Sequence, residues 1–118
     1  MLYEPVSTGR SKYGNVKTPC NNGHMHDSAI EARYCNELAL RVRARDIRSY
    51  RTQQKYPLLV GDTKVCDHIV DFIVEMNDGT KEVHEVKGKT TKDWVIKKKL
   101  FEALYPTMKY IVIRKARN

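Results

Sequence analysis

Between Asp67 and Lys87 the chain reads DHIVDFIVEMNDGTKEVHEVK, with one acid, Asp71, fourteen residues before another, Glu85. Lys87 follows two residues after Glu85. Strand-like runs flank a turn-forming Asn77-Asp78-Gly79, so the segment predicts a hairpin that brings the acids together. Paired carboxylates supply the hard oxygen donors that magnesium or manganese takes while keeping several waters. A neighbouring ammonium can hold a water or neutralise charge developing on a phosphate. The chemistry that needs this set is metal-assisted hydrolysis of a phosphodiester.

Loop length decides whether the acids meet. A two-residue Asp78-Gly79 loop sets Asp71 opposite Val86, on the wrong face from Glu85. A three-residue Asn77-Asp78-Gly79 loop sets Asp71 opposite Glu85, Ile73 opposite Val83 and Ile69 opposite Lys87. Lys87 then shares the face of Glu85. The other face collects Val70, Phe72 and Val74 against Glu82, His84 and Val86. Opposed carboxylates repel unless a cation lies between them. The competing reading is an exposed charge cluster in which Lys87 simply pairs with Glu85.

Glu31 is the third acid. Ser28-Ala-Ile-Glu31 is a capping box opening a helix from Asp27 to about Arg45, and Ser28 would be its cap. Yet Glu31 also shares a helix face with Tyr34, Cys35, Leu38 and Val42, the face that must meet the rest of the fold. A carboxylate aimed at a core is costly unless paired or bound to a cation. Both readings stand at this level.

These residues need a small scaffold. Residues 1–26, with Gly9, Gly14, Pro19 and Gly23, read as an arm with a short strand near Val16–Cys20. Residues 27–118 form a single domain. Its strands are predicted at Lys55–Val60, Val65–Met76, Lys81–Lys87 and Lys109–Arg114, with Pro57 suiting the first to a sheet edge. A second helix runs from Asp93 to Tyr105, with Trp94, Ile96, Leu100, Phe101 and Leu104 as apolar contributors, and Pro106 ends it. The order α-β-β-β-α-β predicts an α/β fold. Its four-stranded mixed sheet has a meander of three strands and a helical crossover to the fourth.

Lys and Arg number 22 against 14 acids, for a net charge of +8 and a pI near 9.5, which favours a polyanionic partner. The chain opens without a signal-like apolar run and has no stretch of membrane-spanning length, so the expectation is a cytoplasmic protein without a membrane partner. Cys20, Cys35 and Cys66 are odd in number and read as reduced thiols. His24, His26 and His84 lack cysteine partners at zinc-site spacing. Gln54, just before the first strand, reads on its own as an exposed polar residue beside Gln53. Lys89, Lys92, Lys98 and Lys99 are candidate DNA contacts, as against an ordinary solvated helix face.

At Lys12-Tyr13-Gly14-Asn15, Asp27-Ser28-x-x-Glu31-Ala32, Gln54-Lys55-Tyr56, Asp71-Phe72, Glu85-Val86-Lys87-Gly88, Thr91-Lys92-Asp93, Lys98-Lys99-Leu100-Phe101 and Tyr105-Pro106, the chain resembles the PD-(D/E)xK nuclease superfamily. The likeness is closest to small phage and prophage proteins of that type. Asp71 is not preceded by proline, and Cys20-Asn-Asn-Gly-His24-Met-His26 is less apolar than that pattern expects.

The resemblance implies a restriction-endonuclease-like core and a magnesium- or manganese-dependent endodeoxyribonuclease. Asp71, Glu85 and the backbone carbonyl of Val86 would be ligands, with Glu31 completing the site directly or through water. Lys87 would orient or activate the attacking water, and Gln54, where many superfamily members carry a site glutamine, would support the site. Small basic members look like junction-resolving enzymes, such as archaeal Holliday-junction resolvases and phage endonuclease I. That implies a homodimer acting on branched DNA in phage recombination or genome processing, in a bacterial cytoplasm. The alternative is a catalytically idle nucleic-acid-binding or assembly protein that keeps the fold.

Overall fold

The hairpin register follows from one turn. The Met76 N–H donates to Thr80 O at 2.8 Å and the Gly79 N–H to Met76 O at 3.0 Å, enclosing Asn77, Asp78 and Gly79. Gly79 has φ +90°, a left-handed conformation that glycine adopts without a Cβ clash. Asp78 Oδ1 accepts from the Thr80 N–H (3.0 Å) and hydroxyl (2.7 Å), fixing the loop from its side-chain side. Ile73 therefore faces Val83 and Phe72 faces His84, the register of the three-residue loop.

The computed structural model describes residues 17–20, 23, 25, 26 and 28–114. The elements are β1 (Thr18–Pro19), β2 (Met25–His26), α1 (Ala29–Arg43), β3 (Ser49–Val60), β4 (Thr63–Glu75), β5 (Lys81–Lys87), α2 (Lys92–Leu104) and β6 (Lys109–Arg114). Lys12-Tyr13-Gly14-Asn15, His24 and Asp27 lie outside the described residues. The fold is α/β. One sheet has the order β3-β4-β5-β6, with β5 and β6 parallel across the α2 crossover and the other pairs antiparallel. β3 is an edge, as Pro57 requires, but it begins at Ser49 rather than Lys55. No helix among the described residues is long and apolar enough to cross a membrane.

Each helix covers one part of the sheet. Cys20, Ala32, Cys35, Leu38, Ile47, Phe72 and Val74 form one core with α1. Leu58, Val70, Ile73, Val83 and Phe101 form the other with α2. The arm contributes to the first core: Cys20 is buried, and its Sγ lies 3.2 Å from Cys35 Sγ. Neither forms a disulfide.

Two expectations need correction here. Strict alternation assigns Val70 to the face of Phe72 and Val74, yet Val70 packs with Ile73 in the α2 core. The pleat therefore changes phase between Val70 and Ile73, a span that contains Asp71. In α2, Ile96 is 63% and Leu104 37% exposed, so neither is a core residue. A helix lying on one sheet face buries only a narrow stripe, and here Phe101 is its buried centre.

Candidate functional site

Asp71 and Glu85 come from neighbouring strands, β4 and β5. Asp71 Oδ2 accepts from the Val86 N–H at 2.9 Å, which draws the aspartate across to the glutamate's strand. Burial pushes the Asp71 carboxyl well above the usual carboxylate range, and the negative charges of Glu85 and Glu31 push it further. The Val86 N–H and the Lys87 ammonium act against that shift. Glu85, 4% exposed, is also raised, chiefly by burial. Opposing this are a 2.5 Å hydrogen bond from the Tyr110 hydroxyl to Oε1 and the charge of Lys87, while Glu31 adds to the rise. The three acids thus feel one another electrostatically.

Ser28 is the N-cap of α1, its Oγ accepting from the Glu31 N–H at 3.1 Å. The Glu31 side chain, 4% exposed, reaches β3, where Gln53 Nε2 donates to Oε2 at 2.9 Å. The glutamine that meets Glu31 is therefore Gln53, not Gln54. Gln54 Nε2 turns to Thr52 O at 3.0 Å and lines a groove with Arg51, Tyr56 and Glu75 on the hairpin surface. The cause is local backbone. Gln53 has φ +52°, left-handed, and it falls between Thr52↔Phe72 and Gln54↔Val70, opposite Asp71. A non-glycine residue pays about 1 kcal/mol for that conformation.

Two substitutions separate these glutamines. Gln53→Gly should keep or raise the melting temperature by removing that strain, yet weaken any function that depends on Glu31. Gln54→Ala should alter neither. Thermal melts alongside cation titration check both outcomes, and equal cation affinity in Gln53→Gly and wild type would remove Gln53 from the site.

Lys87 does not neutralise Glu85 by direct contact. Among the described residues the ion pairs are Arg48–Glu75, Lys64–Asp67, Lys98–Glu102 and His84 with Glu82. Lys87 Nζ instead lies 5.0 Å from the centre of the Trp94 ring, a cation–π distance. Trp94 is thus more than a packing residue of α2. Its indole N–H favours the charged form of Glu85, yet it is buried and has no hydrogen-bond partner of good geometry.

Behind Glu85, Tyr110 Oη also meets His68 Nε2 at 2.8 Å. Burial, with Lys97 and Lys87 nearby, pushes His68 down to about 4. Gln53, His68 and Tyr110 are all absent from the sequence reading. Neither the phase change of β4 nor the pairing of Tyr110 with Val83 leaves a local signature. His84 bonds Tyr34 through Nδ1 and Glu82 through Nε2. Lys89, Lys92 and Lys99 are exposed, whereas Lys98 is tied to Glu102 at 3.0 Å and lies 4.9 Å from the Tyr110 ring centre.

As the side chains stand, no group of three or more His, Cys, Asp or Glu among the described residues converges on a cation position. The donor chemistry still fits a hard divalent ion. Asp71 and Glu85 each have one oxygen outside the hydrogen bonds given above. The destabilisation of a charged Asp71 by Glu85 and Glu31 is a condition that a cation relieves.

The chain belongs to the DUF1064 family, described as a protein of unknown function, whose profile matches residues 10–118. No curated protein and no solved structure matches the chain.

Proposed function

We propose that this protein is a metal-dependent endonuclease that cleaves DNA, with a preference for branched substrates. The observation that carries the reading is half-buried Asp71 beside buried Glu85: Glu85 and Glu31 raise the Asp71 carboxyl, Glu31 also raises that of Glu85, and Lys87 acts against both shifts. Structural charge pairs rarely bury like charges together, because the cost recovers nothing unless something positive is to be bound.

Asp71 and Glu85, with the Val86 carbonyl, would hold magnesium or manganese, and Glu31 would reach it directly or through water. Such an ion supplies Lewis-acid activation of water and charge neutralisation at phosphorus. Lys87, kept out of an ion pair by its seat on Trp94, can orient the attacking water or a phosphate oxygen. The excess of +8 supplies attraction to the DNA backbone, and exposed Lys89, Lys92 and Lys99 follow the site in sequence. The proposed unit is a homodimer, because two sites at fixed spacing can select a branched shape without base reading.

Labelled four-way junctions, flaps, single strands and linear duplexes should be incubated with magnesium or manganese. Paired cuts in the junction are expected, with linear duplex of equal length cut far more slowly. Equal cleavage of both across a range of salt would leave a general nuclease. Tight binding with no cleavage in either metal would leave a DNA-binding module.

A further inference from the structure

We propose that Tyr110 and His68 are positioning residues for Glu85, forming a one-way hydrogen-bond chain that holds one carboxylate oxygen and leaves the other for a cation. The inference rests on the reading of Glu85 as a cation ligand.

The direction of the chain follows from donor counting. An ionised carboxylate can only accept, so the single Tyr110 O–H goes to Glu85 Oε1, at 2.5 Å. At the 2.8 Å contact Tyr110 Oη must then accept, and His68 must carry its proton on Nε2. A neutral imidazole is what this setting favours, since His68 is only 2% exposed and has lysines nearby.

Packing fixes the same chain. The His68 and Tyr110 rings stack with centroids 6.1 Å apart and planes at 28°. Phe101 packs against both, 5.7 Å from His68 and 5.6 Å from Tyr110. His68 comes from β4 and Tyr110 from β6, the two strands that flank β5, so Glu85 is gripped through both neighbours of its own strand.

A purely structural histidine would not need to end on an acid at the candidate centre. Trp94 supplies an independent sign. Its buried indole N–H is left without a hydrogen-bond partner, a donor near Glu85 that remains open to an acceptor. Groups of this kind behind a metal ligand typically set cation affinity by about tenfold to a hundredfold.

The test is manganese titration of metal-free protein, followed by calorimetry and by fluorescence of Trp94, the one tryptophan in the sequence. Tyr110→Phe removes only the hydroxyl. It should weaken binding by about tenfold or more while shifting the melting temperature little. His68→Leu should weaken binding less, and His68→Gln, whose amide can supply an N–H, should recover part of the loss. Wild-type affinity in Tyr110→Phe, with binding lost in Asp71→Asn, would overturn this inference alone. Absence of manganese binding in the wild type would overturn the cation reading and this inference with it. If Tyr110→Phe does not fold, the His68 pair decides: equal affinity of His68→Leu and wild type overturns the chain.

Discussion

Asp71→Asn and Glu85→Gln are each expected to abolish cation binding and cleavage while raising the melting temperature of the metal-free protein. Loss of activity should exceed about a thousandfold, the scale on which single groups at a reacting centre act. The gain in stability has a separate cause. Burial and neighbouring acids raise both carboxyls, so the native protein holds their charged forms at a cost. Asparagine and glutamine keep an oxygen that can accept from the Val86 N–H and the Tyr110 hydroxyl, but bring no charge. Relief of about 1 kcal/mol corresponds to roughly 4 °C in a domain of this size.

The pH dependence identifies that cause. Raised carboxyls mean that the native state binds protons more tightly than the unfolded chain. Their contribution to stability is full below the ordinary carboxylate range and falls away as pH rises through the raised native values. His68 has the opposite sign. Lowered from 6.5 to about 4, it contributes fully above 6.5, and this is lost as pH falls towards 4. Wild-type melts alone mix the two. Asp71→Asn removes much of the first and keeps the second, so its advantage in chelator should widen as pH rises. Magnesium or manganese should then close the gap by stabilising only the wild type. Melting curves of the two proteins that stay parallel at every pH, with and without metal, would remove the electrostatic case.

The hairpin was legible because a single glycine-closed loop sets its register, and loop chemistry is local. From that register the opposition of β4 and β5 followed as far as Phe72 and His84, beyond which Asp71 reaches the Val86 N–H next to Glu85. The first helix start was legible for a similar reason, since Ser28 caps through a contact three residues away, whereas the Thr91 cap that starts α2 at Lys92 was not read from the sequence. What sequence could not show was where regular structure fails. Gln53 adopts a left-handed conformation inside a strand, and nothing in Thr52-Gln53-Gln54 announces it. That single backbone rotation exchanges the roles of two adjacent glutamines. The phase change of β4 likewise sends Val70 to the α2 core. Tyr110 meets Glu85 and His68 meets Tyr110, contacts across three strands that no periodicity encodes. The regular parts of the fold were readable, and the irregular part is the part that builds the site.

Glu31 is where capping and chemistry can be separated, because they use different atoms of neighbouring residues. The cap is Ser28 Oγ accepting from the Glu31 main-chain N–H, a bond that survives any change of the Glu31 side chain. The carboxylate serves β3 and the acids, accepting from Gln53 and adding negative charge that Asp71 and Glu85 both feel. Ser28→Ala should therefore cost about 1 kcal/mol, near 4 °C, with cleavage intact below the melting transition. Glu31→Gln should do the reverse. Its amide oxygen can still accept from Gln53, so the metal-free melting temperature should hold or rise slightly as like-charge repulsion is relieved. Cation affinity should fall by about tenfold to a hundredfold, and cleavage with it. Calorimetry, melting curves and junction cleavage on the two variants side by side decide the matter. Full cleavage by Glu31→Gln would confine the residue to packing against β3, and the candidate centre would then consist of the β4–β5 hairpin alone.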